Sequence, residues 1–177
     1  MAVALHLCNR GEAERVMVQR RDAADLPWAE GYPLDGDTRA AAAYASHLSG
    51  RTGKGGSIPF GYYQVLEDGV VVGGIGFHGP PKEGLVEVGY GMVPAVRGRG
   101  VATEALCLLL EVAAGLDGVR RVMGRTEEAN VASQRVMTGA GMQLVGRDPD
   151  FLHYEIDLGE WSASGRQDGV PPGRPVG

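Results

Sequence analysis

The sequence predicts a single α/β (α+β) domain, a sheet flanked by helices, on three observations. Its 177 residues suffice to bury one core without disulfides or metals. Apolar residues at 44% and charged residues at 22% are the proportions of an ordinary globular protein. From Tyr62 onward, runs of strand character alternate with runs of helical periodicity, in the order hairpin, strand, helix, strand, helix, strands.

The N-terminal third supplies a first strand at Ala2 to Cys8, a helix from Glu12 to Asp25, and a second from Asp37 to Ser49 with Asp37 or Thr38 as its N-cap. Gly50 to Ser57 reads as a flexible connection. Its Gly53-Lys54-Gly55-Gly56 lacks the glycine spacing and the trailing Ser or Thr of a phosphate-binding P-loop. Tyr62 to Glu67 and Val70 to Phe77 flank Asp68-Gly69, a dipeptide suited to a tight hairpin. Pro80-Pro81 closes that hairpin, and Leu85 to Met92 forms the next strand, stopped by Pro94.

Between Gly100 and Leu116, the residues Val101, Ala105, Leu108, Leu109, Val112 and Leu116 form one apolar stripe at helical spacing, and Gly118 is placed to end the helix. A strand at Arg121 to Thr126 follows. Then come a helix at Val131 to Thr138, capped by Asn130 and stopped by Gly139-Ala140-Gly141, and strands at Met142 to Val145 and Leu152 to Leu158. The domain is therefore taken as residues 1–159. Residues 160–177, rich in Gly, Pro and Ser, read as a mobile tail.

No apolar run approaches the roughly 18 residues of a membrane span, and no N-terminal export signal is recognisable, so a soluble cytoplasmic protein is expected. The formal charge of −5 argues against binding dominated by nucleic-acid phosphates and mildly favours a cationic or amine-bearing partner. Cys8 and Cys107 make no metal-ligand spacing. His6, His47, His78 and His153 share no helical face and belong to no Ser-His-Asp order, so neither a metal nor a hydrolase is expected. His78, His153, Trp28, Tyr32 and Tyr44 are candidates either for an acceptor pocket or for surface and core.

The most informative segment is a strand, Leu85 to Met92, followed by a polar turn with Gly98 and Gly100 and then directly by an amphipathic helix. Glycines let an anion approach the main chain, and the unpaired N–H groups of a helix start, together with its dipole, hold it. Arg97 and Arg99 add attraction at longer range. The arrangement suits pyrophosphate, although a turn of purely structural purpose has the same geometry. A dinucleotide fingerprint fits less well, because Thr103 stands where its third glycine belongs.

Arg97, Gly100 and Ala102 match in order the Q/R-x-x-G-x-G/A signature, and in this the chain resembles the general N-acetyltransferase (GNAT) superfamily. The text Glu87-Val88-Gly89-Tyr90-Gly91, then Pro94, then Arg97 to Ala105, is similar to the subgroup of ribosomal-protein N-terminal acetyltransferases. So are Asn130-x-x-Ser133 and Gly139-Ala140-Gly141-Met142. The resemblance spans roughly Tyr62 to Leu158. It implies a mixed, strongly twisted sheet whose central strands splay to admit the pantetheine arm of acetyl-CoA, used as co-substrate. It further implies that Arg97, Gly98, Arg99, Gly100, Val101, Ala102 and Thr103 bind the pyrophosphate end, and that main-chain groups of Met92 and Val93, with Asn130, meet the arm.

Acetyl transfer to an amine needs a base, a stabilised oxyanion and a proton for the departing thiolate. The resemblance implies Glu87 as base; its alternative is a strand carboxylate facing solvent or pairing with an arginine. Met137 stands where many family members carry a proton-donating tyrosine, and Ser133 is the implied substitute, its alternative being a local backbone bond. Asn130 is equally explained as an N-cap. The main-chain N–H of Met92 is the candidate for polarising the thioester carbonyl. An acetyltransferase acting on an amine, small or at a polypeptide N-terminus, is the principal expectation, with an acyl-CoA-binding sensor as its rival. Exposed strand edges of such folds pair across dimers, which admits a homodimer.

Overall fold

The structure, a computed structural model, describes residues 1–51 and 58–161. Residues 52–57 of the expected Gly50 to Ser57 connection, and residues 162–177 of the expected 160–177 tail, lie outside the described residues. Seven strands form one mixed sheet in the order β1-β2-β3-β4-β5-β7-β6: β1 Val3–Leu7, β2 Tyr62–Glu67, β3 Val70–Phe77, β4 Leu85–Met92, β5 Arg121–Thr126, β6 Gln143–Arg147 and β7 Leu152–Asp157. Every neighbouring pair is antiparallel except β4 and β5. The helices are α1 Arg10–Met17, α2 Asp35–Leu48, α3 Val101–Ala114 and α4 Val131–Gly139.

The hairpin between β2 and β3 turns where expected. Asp68 and Gly69 take φ of +50° and +85°, the left-handed pair whose twist suits a two-residue hairpin. The apolar stripe of α3 is buried, with Val101, Ala105, Leu106, Leu109, Leu110 and Ala113 all in the core. Each leucine in that stripe contributes on the order of 1.5–3 kcal/mol. The helix ends at Gly115, before the expected Gly118.

Two N-terminal expectations need correction. The first helix starts earlier, on the capping box of Asn9 and Glu12, and ends at Met17 instead of reaching Asp25. The chain leaves the helix there, with Gln19 in the left-handed region at φ +55°. Asp25 then turns back to pair with Arg15. The second helix begins at Asp35, so neither Asp37 nor Thr38 is its N-cap. Asp37 lies inside the first turn, and its Oδ2 accepts the Leu34 N–H at 2.9 Å.

Alternation along the central strands divides the chemistry between two faces. Glu87, Gly89 and Gly91 of β4 share a face with their register partners Gly76 and Gly74 of β3, and α2 covers that face. Val86, Val88, Tyr90 and Met92 point to the opposite face, where α3 and α4 pack. Gly124, the register partner of Val88, makes room there for Met137 of α4: a Cβ on Gly124 would sit 2.8 Å from the Met137 sulfur.

Candidate active site

The parallel pairing of β4 with β5 runs only from Leu85↔Arg121 to Val88↔Gly124. Beyond it, β5 continues against β7 as far as Thr126↔Leu152, and β4 continues against β3 as far as Met92↔Gly73. The two strands therefore part, and a cleft opens between them. Antiparallel alternation decides which groups face it. His78 N–H donates to Glu87 O at 2.8 Å and Val93 N–H to Val72 O at 2.9 Å, so these residues and those at even spacing between them turn their main-chain groups toward β3. Tyr90 and Met92 turn theirs toward the cleft.

This separates Met92 from Val93 as candidates for contacting a pantetheine arm. The Met92 N–H faces the cleft, and its carbonyl accepts Arg97 Nε at 3.0 Å. Val93 is fully buried, its N–H given to Val72 and its carbonyl accepting Val96 N–H at 3.2 Å. Arg97 thus braces the end of β4, while Arg99 makes a two-armed ion pair with Glu67 of β2 at 2.8 and 3.1 Å. Both arginines are exposed, and each is tied to a partner within the chain.

Gly98 and Gly100 have φ of +73° and +85°. A Cβ on either would meet nothing within 4 Å, so the glycines serve the backbone path and leave open space above it. Gly100 is the N-cap of α3 and, being glycine, brings no capping side chain of its own. The first-turn N–H groups of Val101, Ala102 and Thr103 consequently lie where an anion would find both donors and the positive dipole end.

On the α4 side, Asn130 is the N-cap expected from the sequence, its Oδ1 accepting Ser133 N–H at 3.1 Å. Ser133 Oγ lies 2.8 Å from the hydroxyl of Tyr90, which also donates to Ser133 O at 3.1 Å. In the sequence Tyr90 stands only as part of a motif. Strand parity shows why it belongs to the site: position 90 lies beyond the last β4–β5 pair and on the α4 face. Burial pushes its hydroxyl pKa up, and the bond to Ser133 opposes that shift. Met137, at the position of the missing tyrosine, is fully buried against Gly124 and takes no part in the cleft.

On the α2 side, Glu87 is half-buried at the end of the glycine face. Its Oε1 is 2.8 Å from Arg125 Nε and 3.3 Å from His78 Nδ1. The arginine-paired alternative for Glu87 is therefore the one realised geometrically. Beside it lies a cavity of about 660 Å³ between α2 and the sheet. Tyr44 and His78 line this cavity, whereas Tyr32 lies in the core and Trp28 packs edge-on against it at 5.1 Å. His153 pairs with Asp148 near the β6–β7 end of the sheet. Asp37 lines the cavity although only 3% of its surface is exposed, and burial pushes its carboxyl up to about 6. In the sequence Asp37 reads only as a cap. Among the described residues no group of three or more His, Cys, Asp or Glu is gathered to hold a metal, and no helix is long and apolar enough to cross a membrane.

A cleft between parting parallel strands, with a glycine turn and a helix start on one face and a cavity on the other, defines an acyl-CoA-type transferase framework. Residues 5–143 match the acetyltransferase (GNAT) domain family, and the chain belongs to that family. A curated relative, an uncharacterised N-acetyltransferase YjdG of Bacillus subtilis (strain 168), is 32% identical over 85 residues; the match spans 48% of this chain and 51% of that protein. Among solved structures, a ribosomal-protein alanine acetyltransferase from Vibrio fischeri superposes with a TM-score of 0.63 at 14% identity, over 92% of this chain and 96% of that one. The aminoglycoside acetyltransferase AAC(6')-Ib, in complex with coenzyme A, gives 0.62 at 14%, over 88% and 95%. A GNAT-family acetyltransferase from Bacillus anthracis gives 0.60 at 22%, over 90% and 97%. At these identities the likeness is one of fold.

Proposed function

We propose that the chain transfers the acetyl group of acetyl-CoA to a primary amine by direct attack within a ternary complex. The observation that carries this reading is the parting of β4 and β5 beyond Val88 and Gly124, with the glycine turn of Gly98 and Gly100 on one face of the sheet and a cavity on the other. Acetyl-CoA would lie on the α3 and α4 face, its pyrophosphate over the N–H groups of the turn from Arg97 to Thr103. Its arm would pair with the cleft-facing main chain of β4, as an added strand does. Asn130 and Ser133 border the same path.

Each chemical task then has a group on this chain. The Met92 N–H faces the cleft and suits the thioester carbonyl, whose oxygen gains negative charge on attack. Tyr90 and Ser133, hydrogen-bonded to one another, supply a proton to the departing thiolate in place of a tyrosine at position 137. Glu87, with Oε1 shared by Arg125 and His78, acts as a fixed negative charge that draws the ammonium form of the acceptor toward the cleft. The acceptor enters from the α2 side, and both a small amine and the polypeptide N-terminus suggested by the subgroup resemblance have their amine within the proposal.

One observation favours a second reading. Met137 lies in the core and carries no ionisable group, which suits a sensor that binds acyl-CoA without turnover. Calorimetric titration with acetyl-CoA, run beside thiol release over a panel of amines, separates the two. Binding accompanied by release with at least one amine supports transfer, and binding without release for any amine supports the sensor.

A further inference from the structure

The α2 face holds a carboxylate that the family signature does not require. Asp37 Oδ2 completes the cap of α2, a task that a solvent-facing side chain would fulfil as well. Its Oδ1, however, is turned inward to accept the Tyr62 hydroxyl at 3.0 Å, and Tyr62 is in turn 2.8 Å from the hydroxyl of Tyr32. Burying a carboxylate costs free energy unless something compensates it. The sheet is cleared to admit it: a Cβ on Gly74 would sit 2.2 Å from Asp37 Oδ1 and 2.3 Å from the Tyr62 oxygen.

The clearing extends across the floor. Gly74 pairs with Gly91 and Gly76 with Gly89, and this two-by-two block of glycines makes room for the groups packed over it: Asp37 and Tyr62 at Gly74, the Gly61 main chain at Gly76, the His78 ring at Gly89 and Leu34 at Gly91. Gly91 immediately precedes Met92, which places Asp37 one strand away from the residue proposed to meet the thioester. The cavity bounded by these groups is also lined by Tyr44 and Phe60. A cavity lined by aromatic residues receives an apolar body, and rings beside a carboxylate favour a cation.

We infer that Asp37 and the cavity beside it form the receptor for the acetyl acceptor, a primary amine carried on an apolar body, with Asp37 pairing the ammonium and taking its proton. This rests on the transfer proposed above. The ammonium gives one proton to the Asp37 carboxylate, and the nitrogen lone pair bonds to the thioester carbonyl carbon. The C–S bond then breaks with its electron pair on sulfur. Sulfur takes a proton from the Tyr90–Ser133 pair, which is refilled by the second proton that the nitrogen loses on becoming an amide, and Asp37 returns its proton to water.

The ionisable groups around Asp37 are consistent with this assignment. Tyr62 and, behind it, Tyr32 are neutral near pH 7, their hydroxyl pKa values raised by burial. Arg39 and His47 on its own helix line the cavity, and so does His78 at the end of β3. From β4, Tyr90 borders it with its main chain only, its hydroxyl lying on the other face beside Ser133. Both carboxylate oxygens accept neutral donors, Leu34 N–H and the Tyr62 hydroxyl, and no basic side chain is hydrogen-bonded to them among the described residues.

The test uses the full chain saturated with coenzyme A and, as probes, phenethylamine, its neutral isostere 2-phenylethanol, putrescine and an alanyl tripeptide. The expected result is that phenethylamine binds at least 30-fold more tightly than 2-phenylethanol and more tightly than putrescine or the peptide. Asp37→Asn should reduce the preference over the alcohol to within threefold. Ala43→Trp, on the exposed side of the cavity, should abolish phenethylamine binding without disturbing the core. Both variants should bind acetyl-CoA within twofold of the parent. With acetyl-CoA present, kcat/KM for phenethylamine should fall at least 100-fold in Asp37→Asn, with the acidic limb of its pH profile, near 6 in the parent, lost. Equal binding of amine and alcohol, a preference that survives Asp37→Asn, or tighter binding of putrescine or the peptide overturns the receptor. Phenethylamine held through Asp37 without turnover overturns the transfer and leaves the receptor standing.

Discussion

The hydroxyl of Tyr90 on β4 lies 2.8 Å from Oγ of Ser133 on α4, bridging the cleft just beyond the last pair that joins β4 to β5. A strand that has lost its neighbour is held instead to the helix following that neighbour. The same contact puts a proton-bearing group beside the line where a thioester sulfur would pass.

If the pair acts as one relay, Tyr90→Phe and Ser133→Ala should each lower kcat by about 100-fold, with the dissociation constant of acetyl-CoA unchanged. The double variant should lose scarcely more than either single one, because members of a unit are not additive. Rapid-quench measurement of the acetyl-transfer step checks this. Multiplicative losses would mean that the two groups act separately.

Glu87 is expected to behave differently. With Oε1 shared between Arg125 and His78, it contributes charge and position. Glu87→Gln should raise KM for a cationic amine by roughly tenfold, about 1.4 kcal/mol, while kcat changes less than threefold. The acidic limb of the pH–rate profile should stay where it is. A limb displaced in Glu87→Gln, and not in Asp37→Asn, would return the role of base to Glu87.

The contrast between these two carboxylates shows what the sequence could disclose. Glu87 sits in a motif whose spacing is readable, as do Arg97, Gly100, Asn130 and Ser133, and strands β2 to β5 follow from turn residues and β-rich runs with no change of bounds. Asp37 looks like any acidic residue at a helix start, because its burial depends on Gly74, 37 residues later in the chain and on another element. Tyr90 was hidden for a related reason: only the point at which β4 and β5 stop pairing reveals that position 90 faces α4. The overlong reading of α1 failed on a left-handed residue at Gln19, a conformation that no glycine or proline signalled there.

At the turn, Gly100→Ala asks an alanine to hold φ near +85°, which costs roughly 1–2 kcal/mol. A Cβ there meets nothing within 4 Å, so the fold should tolerate it. The affinity for acetyl-CoA should fall by about tenfold, whether the backbone relaxes away from the anion-binding path or the methyl shields it. Titration of the parent and the variant with acetyl-CoA provides the measurement, and circular dichroism confirms that α3 is retained. Unchanged affinity would leave the turn a structural one.

Asp37 also predicts a pH dependence of stability that needs no substrate. Its carboxyl is raised from 3.8 to about 6 by burial, so the folded state holds a proton that the unfolded state has already released. Below pH 3.8 the group is protonated in both states and imposes no penalty. As pH rises from there to about 6 the penalty grows, and above that range it levels off at roughly 3 kcal/mol. Asp37→Asn lacks this titration. Its melting temperature, measured against the parent across pH 4 to 7.5, should therefore gain by about 6–10 °C over the series, whatever constant offset the altered hydrogen bonds to Leu34 and Tyr62 impose. A difference between the two proteins that stays flat across that range would show that Asp37 ionises in the folded chain as it does in the unfolded one, and would remove the electrostatic ground for placing an ammonium beside it.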